Sequence, residues 1–330
     1  MGETRQDAHP LRVAFVGAGK VGCSLARFLA GARAGDVGSA EGGQPTGAPG
    51  RGAATRSGAP VGSPASDPAP CEVVGFFSRT PEHALEAAEF AGGVAFGSAA
   101  DAACAADVLV VTTPDAQIAP AWERVADAAR AGELSLAGKV VAHCSGALPA
   151  SVLTGAHGLG ARACSVHPLY AVSSRFGCWQ ELAHTWFSLE GDEGACALME
   201  RLLAARGARC GRVRSEEKAR YHAAAVMASN LVAGLYARAA AELERAGWPT
   251  GQAEAALAPL FEGNARHVAR DGVARALTGP AARGDEGTIA RHLDVLEGSD
   301  REIYRLLTDA VRQVARRGRD QADPSGREDS

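Results

Sequence analysis

Short apolar runs alternate with longer amphipathic stretches over the first two thirds of the chain. The apolar runs predict strands at residues 11–16, 71–77, 94–96, 107–111, 139–143, 161–166, 186–190 and 208–213. The amphipathic stretches predict helices at residues 21–30, 81–91, 99–105, 118–131 and 193–205. Strands and helices that alternate at these lengths predict an α/β fold with a doubly wound, mostly parallel sheet.

The last third of the chain has helical spacing only. It predicts one long helix at residues 216–246 and shorter helices at 252–263, 265–270, 286–296 and 300–316. We therefore expect two domains, an α/β domain at residues 11–213 and an all-α domain at residues 214–316.

Three segments lack either pattern. Residues 32–70 are dominated by Gly, Ala, Pro and Ser, so they cannot bury enough apolar surface to offset the entropy cost of ordering them. We predict that this segment is a disordered surface insertion. The polar ends at residues 1–10 and 317–330 are predicted to be disordered tails.

Composition limits the classes of partner. The net charge is −4 and the body of the chain has no long basic run, which argues against nucleic acid as the main partner. The eight cysteines form no C-x-x-C pair and no spaced Cys/His set, so we expect free thiols and no metal site. No apolar run reaches the roughly 20 residues of a membrane span, and the N-terminus has no signal-peptide core. We therefore expect a cytoplasmic protein without a membrane partner.

A glycine-rich turn follows the first predicted strand. Gly17, Gly19 and Gly22 have the G-x-G-x-x-G spacing between that strand and the next helix. In a dinucleotide site the first glycine allows a sharp turn, the second lets the backbone approach a pyrophosphate, and the third lets the helix pack closely on the sheet. The sequence predicts such a site, with the intervening residues Ala18, Lys20 and Val21 also in contact with the ligand.

The end of the second predicted strand indicates which dinucleotide binds. An NAD site has an acidic residue there for the ribose 2′-hydroxyl, whereas a 2′-phosphate requires a cation and hydroxyl groups. Here Ser78, Arg79 and Thr80 follow the strand, which favours NADP(H). Their distance from the glycine turn becomes typical when residues 32–70 are removed. The alternative for Arg79 is an exposed arginine in a loop that begins a helix.

Further polar residues follow the other strands. Ligands of open α/β sheets bind at the carboxyl ends of the strands, where Thr113, Pro114, His143, Ser145 and His167 are expected. We assign the first four to the cofactor and His167 to the substrate. Histidines at strand ends also occur as hydrogen-bonded packing residues, which is the alternative for His143 and His167.

The predicted long helix carries a polar cluster on an otherwise apolar background. At 100° per residue Lys218, His222 and Ser229 lie within about 40° of one another, and Asn230 lies about 80° from His222. We predict that these four residues form the catalytic face. A solvated helix face or a polar network between helices is the alternative.

A loop rich in Gly and Pro follows at residues 278–285. Thr278, Arg283 and Asp285 are predicted to bind a substrate carboxylate, with Arg283 as a bidentate clamp. Asp285 also has the chemistry of an N-cap for the helix that follows, and the two interpretations are compatible.

These motifs resemble a known family. They comprise Gly17–Gly22, Thr113–Asp115, His143–Ala147, His167–Leu169, Tyr221–Ala225 with Ser229 and Asn230, and Leu277–Pro280 with Arg283 and Asp285. The chain is similar to a bacterial family of predicted NADP-dependent oxidoreductases with a Rossmann-like domain and a helical domain. That family is distantly related to pyrroline-5-carboxylate reductase, ketopantoate reductase and deazaflavin-dependent NADP reductases.

The resemblance implies a fold and a reaction. It implies a Rossmann-like domain followed by a helical domain like the C-terminal domain of 6-phosphogluconate dehydrogenase, through which two chains form a homodimer. It also implies hydride transfer from NADPH to a small carbonyl or imine acid. The best single substrate is ketopantoate, reduced to pantoate in pantothenate biosynthesis. The alternatives are an imine substrate, a deazaflavin partner, and a sensor or scaffold that binds NADP without turnover.

A carbonyl reduction needs a proton donor near the developing alkoxide. We assign this role first to Lys218 and second to His222, while Ser229 and Asn230 orient the substrate.

Overall fold

The structure is a computed structural model, and it describes residues 9–31 and 71–322. The predictions for residues 1–8, 32–70 and 323–330 lie outside these ranges. The strands are β1 Leu11–Val16, β2 Cys71–Phe77, β3 Val94–Ala95, β4 Val108–Val111, β5 Val140–His143, β6 Arg162–Pro168, β7 Trp186–Gly191 and β8 Arg209–Arg212.

The eight strands form one sheet in the order β3-β2-β1-β4-β5-β6-β7-β8. Every neighbouring pair is parallel except β6 and β7, which are antiparallel. The prediction of a doubly wound, mostly parallel sheet is confirmed. The order in which successive strands are added to the sheet reverses between β1 and β4, and the carboxyl ends of these strands are where such folds bind ligands.

The helices of the sheet-containing part are α1 Lys20–Ala30, α2 Pro81–Ala91, α3 Ala99–Ala105, α4 Asp115–Arg130, α5 Glu193–Ala204 and α6 Lys218–Met227. Those that follow are α7 Asn230–Arg245, α8 Ala253–Asp271, α9 Val273–Ala276, α10 Pro280–Arg283, α11 Glu286–Val295 and α12 Gly298–Ala322.

The central strands are buried on both faces of the sheet, as continuous apolar runs in parallel sheets are. Along β1, Val13 and Phe15 belong to one core cluster, which includes side chains of α1, α2 and α5. Ala14 and Val16 point to the opposite face and belong to a second cluster with α3 and α4. This alternation fixes the register of β1 and therefore the place where the glycine turn leaves the sheet.

The described chain divides differently from the prediction. The two compact units are Met1–Val226 and Met227–Ser330, whereas we expected a boundary between residues 213 and 214. The first residue of α6 is bound to the sheet-containing unit, because Lys218 is 2% exposed and donates to Ser165 Oγ on β6. The expected single helix at residues 216–246 is also interrupted, because Ser229 between α6 and α7 has non-helical angles of φ −129° and ψ −88°.

At the C-terminus, α12 continues to Ala322. We expected the helix to end at residue 316 and a disordered tail from residue 317, so the prediction is wrong for residues 317–322.

Among the described residues, one helical stretch is long and apolar enough to cross a membrane by length and composition. It is Ser215–Arg245, which contains an 18-residue window with a mean hydropathy of 1.2, and 6% of that window is buried. A single such stretch is weak evidence for a membrane span, and this one contains the interruption at Ser229.

Candidate active site

The three glycines of the motif have different roles in the glycine turn. Gly17 has a φ of +114°, and a Cβ atom added there would lie 2.9 Å from the Thr112 carbonyl carbon. A Cβ atom on Gly22 would lie 2.5 Å from the Gly17 carbonyl oxygen, so only glycine lets α1 pack this closely. A Cβ atom on Gly19, in contrast, would meet nothing within 4 Å. Two glycines therefore serve the fold, while Gly19 leaves open space beside its backbone.

That space belongs to a cavity of about 340 Å³ at the carboxyl ends of β1, β2 and β4. Its walls come from the glycine turn, from the residues after β2, from the residues after β4 and from one face of α4. The lining residues that we predicted are Gly17, Ala18, Gly19, Lys20, Ser78, Arg79, Thr80, Thr113 and Pro114. Val21 and Gly22 lie outside the lining and serve the start of α1.

The cavity is strongly basic. Lys20, Arg79, Arg124 and Arg175 line it, and no carboxylate among the described residues does. Arg175 pairs with Glu86, whereas no ion pair is recorded for the other three cations within the described chain. A cavity of this kind favours a ligand with several negative charges, such as a phosphate-rich nucleotide.

Two details fit the phosphates and polar groups of a dinucleotide. The helix α1 begins at Lys20 with no side chain capping it, so the N–H groups of its first turn can donate to an anion. The Thr113 Oγ1 atom is buried in the cavity wall and has no hydrogen-bond partner among the described residues. Buried hydroxyl groups are normally paired, so this atom fits a bound polar group.

Arg124 is a lining residue that our sequence reasoning missed. It lies on α4 in line with Gln117 and Ala121, which also line the cavity. Residues at these spacings share one face of a helix. The spacing was visible in the sequence, but only the sheet order shows that this face of α4 borders the glycine turn.

Arg175 was missed as well, and it ties the glycine turn to α2. Its Nε donates to the Ala18 carbonyl at 3.0 Å and its Nη2 to the His83 carbonyl at 3.1 Å. Its Nη1 pairs with Glu86 at 2.5 Å. No local pattern around residue 175 predicts these contacts, because they join parts of the chain that are distant in sequence.

His143 and Ser145 differ from the prediction, because their side chains point into the protein and do not line the cavity. His143 Nδ1 accepts from the Ser145 N–H at 3.1 Å, and its Nε2 lies 3.2 Å from the Pro149 carbonyl. Ser145 Oγ donates to Asp115 at 2.8 Å and accepts from two N–H groups of the same turn. Burial lowers the pKa of His143 to about 4. These side chains shape the loop after β5.

Lys218 is enclosed in the same way. Its Nζ donates to the Ser145 carbonyl at 3.0 Å and to Ser165 Oγ at 2.8 Å. Burial lowers the pKa of Lys218, while the negative charges of Glu190 and Asp115 oppose that change. An ammonium that is 2% exposed offers no access to a substrate in this structure, which weakens its assignment as the proton donor.

A second group of polar side chains at this end of the sheet is less buried. The Tyr221 hydroxyl lies 2.7 Å from His167 Nδ1, and the rings meet edge to face at 89°. The His167 and His222 rings are 6.0 Å apart. Burial, followed by the charge of Lys218, lowers the pKa of His167 to about 4. His222 Nδ1 is buried and has no hydrogen-bond partner among the described residues.

The other predicted residues lie in the second compact unit and are described within it. Ser229 precedes α7 and Asn230 begins it, so the single helical stripe that we drew through Lys218 and Ser229 does not exist. Thr278 and Arg283 are exposed. Asp285 caps α11, accepting from the Thr288 N–H at 3.0 Å and from the Thr288 hydroxyl at 2.8 Å. These bonds lower the pKa of Asp285 and give it the capping role that we considered.

A metal site is not apparent in the part of the chain that the structure describes. No group of three or more His, Cys, Asp or Glu side chains there is placed to hold an ion.

The sheet order and the helices around it define the class of fold: a Rossmann-like α/β unit followed by a helical unit. Residues 185–311 match the family model described as "Domain of unknown function (DUF2520)". No curated protein matches the chain by sequence.

Several solved structures share the fold. Protein TM1727 from Thermotoga maritima is 21% identical with a TM-score of 0.63, and the match covers 93% of this chain and 99% of that one. A candidate NADP oxidoreductase from Bacteroides fragilis is 21% identical with a TM-score of 0.58, covering 92% and 98%. A pyrroline-5-carboxylate reductase from Coxiella burnetii is 17% identical with a TM-score of 0.54, covering 94% and 99%. At these identities the likeness confirms the fold that the resemblance implied.

Proposed function

We propose that this protein is an NADP(H)-dependent oxidoreductase that reduces a C=O or C=N bond of a small molecule. The observation that carries the proposal is the basic cavity at the glycine turn. It combines open space at Gly19, the uncapped start of α1 and, counting only residues 9–31 and 71–322, an unpaired Thr113 hydroxyl and a lining without carboxylates. The names of the solved structures that share the fold, an NADP oxidoreductase and a pyrroline-5-carboxylate reductase among them, agree with it.

The preference for NADP(H) over NAD(H) rests on the residues after β2. Ser78, Arg79 and Thr80 all line the cavity there. The Thr80 side chain makes no cap bond to α2 although it occupies the N-cap position, so its hydroxyl can donate to a phosphate. A guanidinium with neighbouring hydroxyl groups suits a 2′-phosphate dianion, whereas a carboxylate at this place would repel it.

The burial of each side chain indicates whether it could contact the substrate. When bound, NADPH supplies a hydride, and the glycine turn, Lys20 and the residues after β2 hold its phosphates. The protein must also supply a proton to the oxygen or nitrogen of the reduced bond. Lys218 is enclosed, whereas His167 and His222 are partly exposed, so the two imidazoles are the better candidates for contact with the substrate.

The substrate that we propose is a small 2-oxo acid, with ketopantoate as the best single compound, which would place the protein in pantothenate biosynthesis. The main alternative substrate is an imine acid, because a pyrroline-5-carboxylate reductase and an imine reductase from a Pseudomonas species share the fold. A deazaflavin partner is a further alternative. A homodimer formed through the helical unit and a cytoplasmic location belong to the same proposal.

One set of assays tests the proposal. NADPH oxidation is followed at fixed protein concentration with ketopantoate, pyrroline-5-carboxylate and oxidised deazaflavin, with NADH in parallel. We expect turnover with one of them and a preference for NADPH. Tight NADPH binding without oxidation by any substrate of a broad 2-oxo-acid and imine panel would favour a sensor or scaffold instead. Failure to bind NADPH would refute the proposal as a whole.

A further inference from the structure

The polar residues at the carboxyl ends of β5 and β6 form two groups that differ in access. His143, Ser145 and Lys218 are no more than 3% exposed, and their polar atoms bond to the protein itself. His167 and Tyr221 are only partly buried and bond to each other. A group that delivers a proton must reach the substrate, so the second pair is the one to examine.

The hydrogen bond of this pair can run from the phenol to the imidazole. Burial raises the pKa of the Tyr221 phenol, so its oxygen is protonated and can donate to His167 Nδ1 at 2.7 Å. With Nδ1 as the acceptor, the proton of a neutral His167 ring is on Nε2. The ring stays neutral at pH 7, because its pKa is lowered to about 4.

The Nε2 atom of His167 faces the backbone of Gly146. A Cβ atom added to Gly146 would lie 2.9 Å from His167 Nε2 and 2.5 Å from His222 Nδ1. The absence of a side chain at Gly146 therefore allows both imidazoles to occupy this place. The loop that carries Gly146 is held by Lys218 through the Ser145 carbonyl.

We propose that His167 is the proton donor of the reaction, acting as a neutral imidazole from Nε2, and that Tyr221 is the positioning residue that resupplies Nδ1. The proposal rests on the proposed reduction. As the carbonyl carbon is reduced, the C=O π electrons move to the oxygen, which takes the Nε2 proton. The phenolic O–H bond of Tyr221 breaks as Nδ1 takes its proton. When Nδ1 later returns this proton to the phenolate, Nε2 takes a new proton from water, which restores both groups. An imine nitrogen would receive the proton in the same way.

The charges around the pair suit this transfer. The Lys218 ammonium lies 5.6 Å from the centre of the Tyr221 ring, where it stabilises the phenolate. Lys218 and His222 on α6 lower the pKa of His167, whereas Asp115 on α4 raises it. A neutral imidazole can donate to a developing oxyanion in this way, as the electrophilic histidine of another enzyme does.

The first test needs neither cofactor nor substrate. Nitrogen-15 NMR of the imidazole rings in the full-length protein reports which nitrogen of His167 carries the proton, with His167→Gln used to assign the signals. We expect protonated Nε2 and unprotonated Nδ1 at pH 7, and a mixture of tautomers in Tyr221→Phe. A wild-type ring with its proton on Nδ1 would overturn the proposal.

The second test is kinetic. Tyr221→Phe should lower kcat about 10- to 100-fold and enlarge the solvent isotope effect, and His167→Gln should lower kcat by roughly 10²–10⁴-fold. The Kd for NADPH should stay unchanged in both. An unchanged kcat in either variant would overturn the relay while leaving the proposed function intact. Loss of NADPH binding by the wild type would instead refute the proposed function, and the NMR result would still decide the arrangement of the pair.

The chain contains a matched control. Tyr304 lies 2.6 Å from His292 Nδ1 with the rings at 85°, the same kind of pair in the second compact unit. Tyr304→Phe removes an equivalent hydrogen bond and should leave kcat unchanged. An equal fall in kcat in Tyr304→Phe would mean that loss of a tyrosine hydroxyl acts through general destabilisation, which would count against the relay.

Discussion

A valine at position 19 is the most direct perturbation of the proposed cofactor site. A Cβ atom at Gly19 would meet no protein atom within 4 Å, and the residue has φ −82° and ψ −170°, which valine adopts without strain. The added methyl groups would therefore occupy only the space beside the turn. That space is where a pyrophosphate must come close to the backbone if the cavity binds a dinucleotide.

The expected magnitudes differ for binding and folding. Keeping a phosphate from the N–H groups of α1 should raise the Kd for NADPH at least about 100-fold, which corresponds to about 2.7 kcal/mol. The fold should lose only about 1 kcal/mol, because valine is a poorer N-cap residue than glycine. In Gly22→Val, in contrast, the Cβ atom would lie 2.5 Å from the Gly17 carbonyl oxygen, so this variant should lose stability together with binding.

The assay is NADPH fluorescence titration alongside thermal melting. Gly211→Val is the matched control, since an added Cβ atom at this position on β8 also meets nothing within 4 Å and the residue lies outside the cavity. It should bind NADPH like the wild type. If Gly19→Val bound NADPH within about threefold of the wild-type Kd, the open space at the turn would not be the pyrophosphate site, and our reasoning would be refuted.

Three more variants test other parts of the site. Arg79→Ala should raise the Kd for NADPH about 10- to 100-fold but leave that for NADH nearly unchanged, and an equal loss for both would argue against a 2′-phosphate contact. Arg175→Met should raise the Kd for NADPH about tenfold by freeing the Ala18 carbonyl, whereas Arg130→Met, which breaks only surface ion pairs, should not. Because the pKa of His143 is lowered to about 4, the unfolded chain binds an extra proton below pH 6.5. Stability should therefore fall as the pH drops from 6.5 to 4, by about 3 kcal/mol from this group. Denaturant melts of His143→Gln over this range should show a shallower dependence, and an unchanged slope would contradict the burial argument.

The sequence was sufficient for the parts of the molecule that depend on local pattern. Apolar runs located the strands, and the glycine spacing and the residues after β2 lead to one cavity because parallel strands end at the same edge of the sheet. Arg124 could have been placed on the same face of α4 as Gln117 from the sequence, because the two residues are at helical spacing. Arg175 was not, because its bond to the Ala18 carbonyl joins residues separated by 157 positions.

The helical domain shows the limit of a helical projection. Such a projection placed Lys218, His222 and Ser229 on one stripe, but it assumes an unbroken helix and says nothing about what packs against each face. The break at Ser229 removes the first assumption. The Lys218 ammonium donates to the Ser145 carbonyl, just after β5, and to the Ser165 hydroxyl, within β6, and both are far from Lys218 in sequence. Only the assembled sheet shows that this lysine is enclosed.

The enclosed lysine still bears on the chemistry, although by a different route from the predicted one. A buried ammonium is tolerated here because it donates to two oxygens and lies near the negative charges of Asp115 and Glu190. Its positive charge acts with burial to keep His167 neutral, and the same charge stabilises negative charge on Tyr221. A lysine exposed to the substrate could donate a proton, but its charge would then be screened by water. Enclosure therefore supports the proposal that Lys218 acts on the His167–Tyr221 pair through its charge, while His167 is the residue that contacts the substrate.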